Sequence, residues 1–222
     1  MIFNGIQKDY ITVLRGRTRP AWTSKGELKF VKVPVLIKHD GFTDLQRKKE
    51  DMAGWLIHEE YKKLEFHDEP NRLYLAKVES EMRLEEYSYW AEGEIEFICK
   101  EKYSKEKYLL VNLTSTNIIG GYRSTNWKTK TTFATNQSGY EIIFKSPGKT
   151  ELHDIGKIKL NYNFIAGDVL QIDYSKRKVT VNGSDITNAV VILQSNFMKL
   201  PIGQVEFSAN HNTEFYYNER FY

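Results

Sequence analysis

The sequence predicts a mainly β protein with one helix, arranged as two parts that meet near residue 112. Three observations carry this. Hydrophobic residues make up 41% of the 222 and aromatics 14%, enough for a real core. Fourteen tyrosines against four methionines tilt the propensity toward strands. Apolar residues mostly recur with period two, and one stretch alone has helical spacing.

Residues 1–112 open with short strands in "IFNGI" and "YITVLRG". The basic, proline-bearing "RGRTRPAW" (Arg15–Trp22) reads as a solvated loop. "ELKFVKVPVLIKHDG" alternates through Leu28, Phe30, Val31, Val33, Val35 and Ile37, and Pro34 within it predicts an edge strand or a break between two strands. Asp40-Gly41 makes a turn. The helix follows in "TDLQRKKEDMAGWLIHEEYKK", with Thr43 and Gln46 as a capping box. Its apolar stripe runs through Leu45, Met52, Trp55, Leu56 and Glu59, and it is expected to end near Lys63. Gly54 inside it predicts a close packing contact.

Pro70 forbids helix in "LEFHDEPNRLYLAKV", so this stretch is a turn between two strands rather than a catalytic cluster. Asp68 is expected to accept backbone hydrogen bonds within the turn, with Arg72 and Tyr74 restarting the strand. Cys99 lies in the alternating "EIEFICKE", which predicts a structural thiol and excludes an internal disulfide. "KEKYSKEKY" (Lys100–Tyr108) reads as a charged, solvated connection.

Residues 113–222 are rich in Thr, Ser, Asn and Gly and predict an all-β sandwich without a helix. "GDVLQIDYSKRKVTVNG" predicts a hairpin pair turning at Ser175–Arg177, and Asn182-Gly183 is its strongest hairpin signal. Residues 1–112 carry 20 basic and 20 acidic side chains, and residues 113–222 carry 12 and 9, so the net +3 lies in the second half. That is too little for a nucleic-acid stripe.

No catalytic or cofactor signature emerges. His58-Glu59 lacks the second histidine of a zinc motif, because residue 62 is lysine. The five histidines (39, 58, 67, 153, 211) have no ligand spacing and read as partly exposed polar residues. There is no nucleophile elbow, and Gly120-Gly121 precedes a strand-like segment rather than a helix. Tyr122, Trp127, Tyr140 and Tyr162 read as sandwich core, with a sugar-stacking platform as the rival reading. The N-terminus has no signal-peptide pattern. No run approaches the ~18 apolar residues of a membrane span.

The order of features in the first half resembles the siphovirus distal tail protein family. The positions that carry the resemblance are Phe3, Asn4 and Gly5; Asp40 and Gly41; Trp55 and Leu56; then Leu64, Asp68, Glu69, Pro70, Arg72 and Tyr74. Two departures stand out: Lys100–Tyr103 lacks the usual proline, and the basic loop has only Pro20 where a pair is usual. "GDVLQIDYSKRKVTVNG" and "FMKLPIGQVEFS" resemble the family's C-terminal module.

The resemblance implies an N-terminal β-sandwich or belt domain (1–112) that forms a ring. It also implies a galectin-like or carbohydrate-binding-module-like C-terminal sandwich (113–222), with residues 214–222 returning to the first domain. The implied function is structural, not enzymatic. A homohexameric ring would act as a hub at the distal end of a long non-contractile tail, joining the tail tube protein to tail-tip or baseplate proteins. Further implied partners are a receptor-binding protein and a cell-wall glycan. DNA would pass through the lumen without specific binding. No cofactor, metal or membrane segment is implied. The protein would reside in the virion tail tip, made in the host cytoplasm by an active phage or a resident prophage. The rival function is a host cell-wall carbohydrate-binding adhesion module. A tail-tip cell-wall hydrolase would need a carboxylate pair or metal cluster that does not stand out.

Overall fold

The computed structural model describes residues 1–15, 29–79 and 82–221. Over these residues the chain is mainly β with one α-helix and divides into two compact units, Met1–Tyr103 and Ser104–Phe221. The Arg15–Trp22 loop and Leu28 fall, apart from Arg15, outside the described residues.

The first unit contains β1 (Ile2–Phe3), β2 (Ile11–Val13), β3 (Lys29–Lys38), α1 (Phe42–Leu56), β4 (Lys62–Glu65), β5 (Leu73–Val78), β6 (Leu84–Glu86) and β7 (Trp90–Tyr103). The strands hydrogen-bond in the order β1-β4-β5-β7-β3-β2, with β6 also on β7. Alternation in β3 buries Val31, Val33, Val35 and Ile37 on one face. Pro34 does not break the strand. Its carbonyl accepts from Leu14 N–H at 2.9 Å where the β2 pairing ends, so its missing donor faces the side on which β2 pairs only Val35–Ile37. Phe30 departs from the expected core and is 47% exposed. Cys99 is buried in β7.

The helix differs from expectation at both ends. Gly41 is the N-cap and no side chain caps it, so Thr43 lies inside the first turn and the expected capping box does not form. Asp44 instead accepts from the Asp40 N–H at 3.1 Å. The helix stops at Leu56, not near Lys63, because Lys62–Glu65 pair with β5 and tertiary hydrogen bonding overrides local helical spacing. Leu45, Met52, Trp55 and Leu56 form its buried stripe, while Glu59 lies beyond it, exposed. Gly54 is exposed, and a Cβ built there would meet nothing within 4 Å, so no close contact explains it.

The second unit contains β8 (Lys107–Ile119), β9 (Trp127–Thr132), β10 (Gln137–Lys145), β11 (Ile155–Phe164), β12 (Val169–Asp173), β13 (Lys178–Val181), β14 (Ser184–Asp185), β15 (Gly203–Tyr217) and β16 (Arg220–Phe221), plus three 3-10 turns. β7 and β8 absorb most of the segment read as a solvated connection, leaving Ser104–Glu106 between them, with Ser104 buried. The contact boundary therefore falls at Ser104 rather than near 112, because β8 is one strand paired along β15.

Eight strands join in a sheet ordered β11-β10-β15-β9-β12-β13-β14, with β8 on β15. β15 makes it a two-layered body. Opposite β8 it pairs with β10 through Glu206–Ala209 and with β9 through Glu214–Tyr217. The register breaks between Ala209 and Thr213, where three residues oppose Asn112, and Leu113 takes a positive φ of 51°. Such a bulge bends a strand. The two wings then face each other, bringing Trp127 of β9 to 5.3 Å from Phe144 of β10. Phe207, Phe215, Ile172 and Leu170 complete the core. The hairpin read at Asn182-Gly183 is present, with both residues at positive φ (50° and 84°).

Candidate functional site

Most of the candidate positions converge in the first unit. Phe3 pairs with Leu64, and Leu64 pairs with Tyr74, in one row across β1, β4 and β5. All three are fully buried (0% exposed). Asn4 and Gly5 both have positive φ (51° and 76°), and Phe3 and Ile6 exchange N–H···O bonds of 3.0 and 2.9 Å. "FNGI" is thus a two-residue turn rather than the expected strand, and Asn-Gly suits it because both residues tolerate left-handed backbone. The turn lifts the Phe3 carbonyl toward α1, where it accepts from Trp55 Nε1–H at 3.0 Å. The Phe3 ring packs edge-on to Trp55 at 6.2 Å and against Phe97 at 5.4 Å. Leu56 is buried beside them in the same core.

The Asp68–Tyr74 stretch forms the corner joining β4 to β5. Glu69 N–H donates to Phe66 O at 3.1 Å and Arg72 N–H donates to Glu69 O at 3.0 Å. The Glu69 side chain ties the corner down. It accepts from the Tyr74 hydroxyl at 2.5 Å, and Lys102 of β7 lies 3.5 Å from its other oxygen. Lys102 also sits 5.0 Å above the Tyr74 ring, and Phe66 closes the other side at 5.7 Å. A charge-assisted hydrogen bond from a buried ring thus fixes the turn. Asp68 and Pro70 are exposed and Arg72 is half-buried. Lys102 is the residue sequence reasoning missed; Glu69 five places before Tyr74 across a proline was the available signal.

Asp40 and Gly41 lie apart from this cluster. They precede the N-terminus of α1, about 22 Å of helix from Leu56. His39 beside them is only 4% exposed, not the partly exposed residue expected, because its Nδ1 binds the Gly41 backbone.

In the second unit, Trp127 and Tyr140 are each 1% exposed core residues and Tyr162 packs against that core, while Tyr122 is exposed. Core packing, the favoured reading, therefore holds for all but Tyr122. Glu219 is buried and collects Lys107 Nζ at 2.6 Å and the Gly120 N–H at 3.2 Å; its own N–H donates to Ser104 Oγ at 2.9 Å. Among the described residues no three His, Cys, Asp or Glu side chains cluster as metal ligands. No helix among them is long and apolar enough to cross a membrane. The arrangement is one of fixed backbone geometry.

Known proteins match this chain in both units. A family model described as the phage tail protein RIFT-related domain matches residues 23–99. A second, the siphovirus-type tail component C-terminal domain, matches residues 120–221. The distal tail protein of Bacillus phage SPP1 is 31% identical over 174 residues, covering 77% of this chain and 67% of that protein. The crystal structure of SPP1 Dit, described as a paradigm of the hub adsorption apparatus in phages infecting Gram-positive bacteria, superposes with a TM-score of 0.78. It has 22% identity and covers 100% of this chain and 98% of that one. A chain of the phage P2 baseplate in its activated, calcium-bound conformation shares the fold at a TM-score of 0.52 and 10% identity, covering 95% and 90%. With two domains matching in order and this identity over most of both chains, the chain belongs to the siphovirus distal tail protein family.

Proposed function

We propose that six copies of this chain close into a ring at the distal end of a long non-contractile tail. The ring is a hub that joins the tail tube protein to tail-tip or baseplate proteins, and a receptor-binding protein docks on the assembly. The observation that carries this reading is the 31% identity to the SPP1 distal tail protein, extended by a fold match along the whole chain. The first unit makes the ring and the second faces outward. One heterologous contact, repeated at every joint, suffices to close such a ring. The role is structural and sited in the virion. DNA passes through the lumen without specific binding, in keeping with the balance of 20 basic and 20 acidic side chains in residues 1–112, since fixed phosphate contacts would retain it. The Phe3, Leu64 and Tyr74 row and the Glu69 corner serve as architecture, holding the first unit's sheet in the shape the ring needs.

Native mass spectrometry of the purified chain at high concentration tests this. Six copies of the 26.0 kDa chain give a species of about 156 kDa. A monomer at every concentration, persisting when the tail tube protein is added, would sink the ring. Of the four aromatics that could form a sugar-stacking platform, Trp127 and Tyr140 are core, Tyr162 packs against the core and Tyr122 is exposed, which disfavours adhesion through such a platform.

A further inference from the structure

The first unit carries two exposed apolar patches outside its core, one at each end of α1. At the C-terminal end is a knob. Ile57 directly follows the helix and is 72% exposed, and Ile6 stands exposed on the Asn4-Gly5 turn. The two share that end because Trp55 Nε1–H donates to Phe3 O and the Phe3 ring lies 5.8 Å from the His58 ring. At the N-terminal end is a hollow of about 550 Å³, lined by Tyr10, Leu36, Tyr89 and Trp90 and reaching His39 and Asp40 just before the helix. Lys38 lies opposite Trp90 in the β3–β7 pairing and its N–H donates to Tyr10 O, so these three side chains share the outer face of the sheet. The rings are fixed in advance: Trp90 stacks on Tyr87 at 3.9 Å, and the Tyr10 hydroxyl donates to Asp51. Each patch has one acid and one base beside it. Glu59 and Lys63 flank the knob, Lys63 through a 2.8 Å bond from Asn4 N–H to its carbonyl. Lys38 and Asp40 flank the hollow, whose other lysine, Lys48, is paired with Asp44 at 2.7 Å. Glu59, Lys63, Lys38 and Asp40 are exposed and form no ion pair with a described residue.

We propose that the knob of one copy seats in the hollow of the next, and that this contact is the joint repeated around the ring. The inference rests on the six-fold ring proposed above and names the surfaces that close it. Ile57 and Ile6 bury against Leu36 and the Tyr10, Tyr89 and Trp90 rings, giving an apolar centre. Glu59 then meets Lys38 and Lys63 meets Asp40 at the rim, where charged pairs set register and partner choice. Two observations make the occupant a second copy of this chain. A closed heterologous ring needs two different patches on each subunit, and α1, about 22 Å long, sets these two apart. Each patch also offers the charges that the other leaves unpaired, so the chain is complementary to itself head to tail.

Native mass spectrometry of full-chain variants tests this. Ile57→Asp and, separately, Tyr89→Asp put a charge into the joint. Each is expected to leave monomer at concentrations where the wild-type chain forms the species of about 156 kDa. Ile118→Asp, at a similarly exposed hydrophobic of the second unit, is expected to keep the ring. All three side chains are exposed, so unchanged urea midpoints show that folding is intact. Cysteines at the rim read the joint without touching its centre. With a bismaleimide, copies carrying Glu59→Cys mixed with copies carrying Lys38→Cys are expected to give covalent pairs of about 52 kDa. Neither variant alone is expected to cross-link, since Cys99 is buried. A ring that persists in Ile57→Asp or in Tyr89→Asp, equal loss in Ile118→Asp, or cross-linking of a cysteine variant with itself and not with the other overturns the joint and leaves the ring standing. A wild-type chain that never assembles, with or without the tail tube protein, overturns both.

Discussion

Single side chains decide the corners. Tyr74 is wholly buried, and its hydroxyl donates to a carboxylate, Glu69, at 2.5 Å. Tyr74→Phe removes this charge-assisted bond while Lys102 stays beside the carboxylate, and is expected to cost about 1.5–3 kcal/mol, read from urea unfolding followed in the first unit. Glu219 plays the matching part in the second unit, where it collects Lys107 and the Gly120 amide. Glu219→Ala is expected to destabilise that unit by about 2–4 kcal/mol, while Glu219→Gln, which keeps an acceptor, costs less. His211 lies at the bend of β15, 5.0 Å from the Phe133 ring. Burial holds its imidazole below the ordinary 6.5, partly opposed by a backbone hydrogen bond to Gly139. The unfolded chain therefore takes up the proton first. The second unit is expected to lose stability as pH falls below about 6.5, levelling once the folded form is also protonated. His211→Gln should flatten that slope, checked by denaturation midpoints between about pH 7.5 and pH 5.

Elements show where local sequence is enough and where it is not. The Asn182-Gly183 turn was legible because its backbone needs are written in those two residues. The same dipeptide at Asn4-Gly5 reads locally as part of a strand, since only two strand residues precede it and its partner, β4, lies some sixty residues on. Helix α1 was found by its stripe, yet its end was set by the pairing of Lys62–Glu65 with β5, a contact that no local window contains. Gly156 shows the same limit. It pairs with Phe144 across β10 and β11, and a Cβ there would lie 2.0 Å from that ring. The ring cannot retreat, being fully buried among Trp127, Phe207 and Phe215. Gly156→Ala is expected to cost about 1–3 kcal/mol by overpacking, measurable as a lower denaturation midpoint.

At the scale of the molecule, each unit carries its own core, one centred on Phe3, Phe97 and Trp55, the other on Trp127, Phe144 and Phe215. Residues 104–222 expressed alone are expected to unfold cooperatively, with a well-dispersed amide spectrum. If the first unit makes the ring, that fragment stays monomeric at every concentration while the full chain assembles. Sedimentation of the two side by side checks this.

By itself, the sequence determined the mainly β class, the single helix, the core faces of β3 and α1 and the family, because periodicity and ordered short motifs are properties of neighbouring residues. Tertiary structure alone decided which acid anchors the Asp68–Tyr74 corner, where the helix stops, and how a bend in β15 makes two layers from one sheet. Each of these depends on strands distant in sequence coming into register, and register is settled by burial and hydrogen bonding in the folded chain.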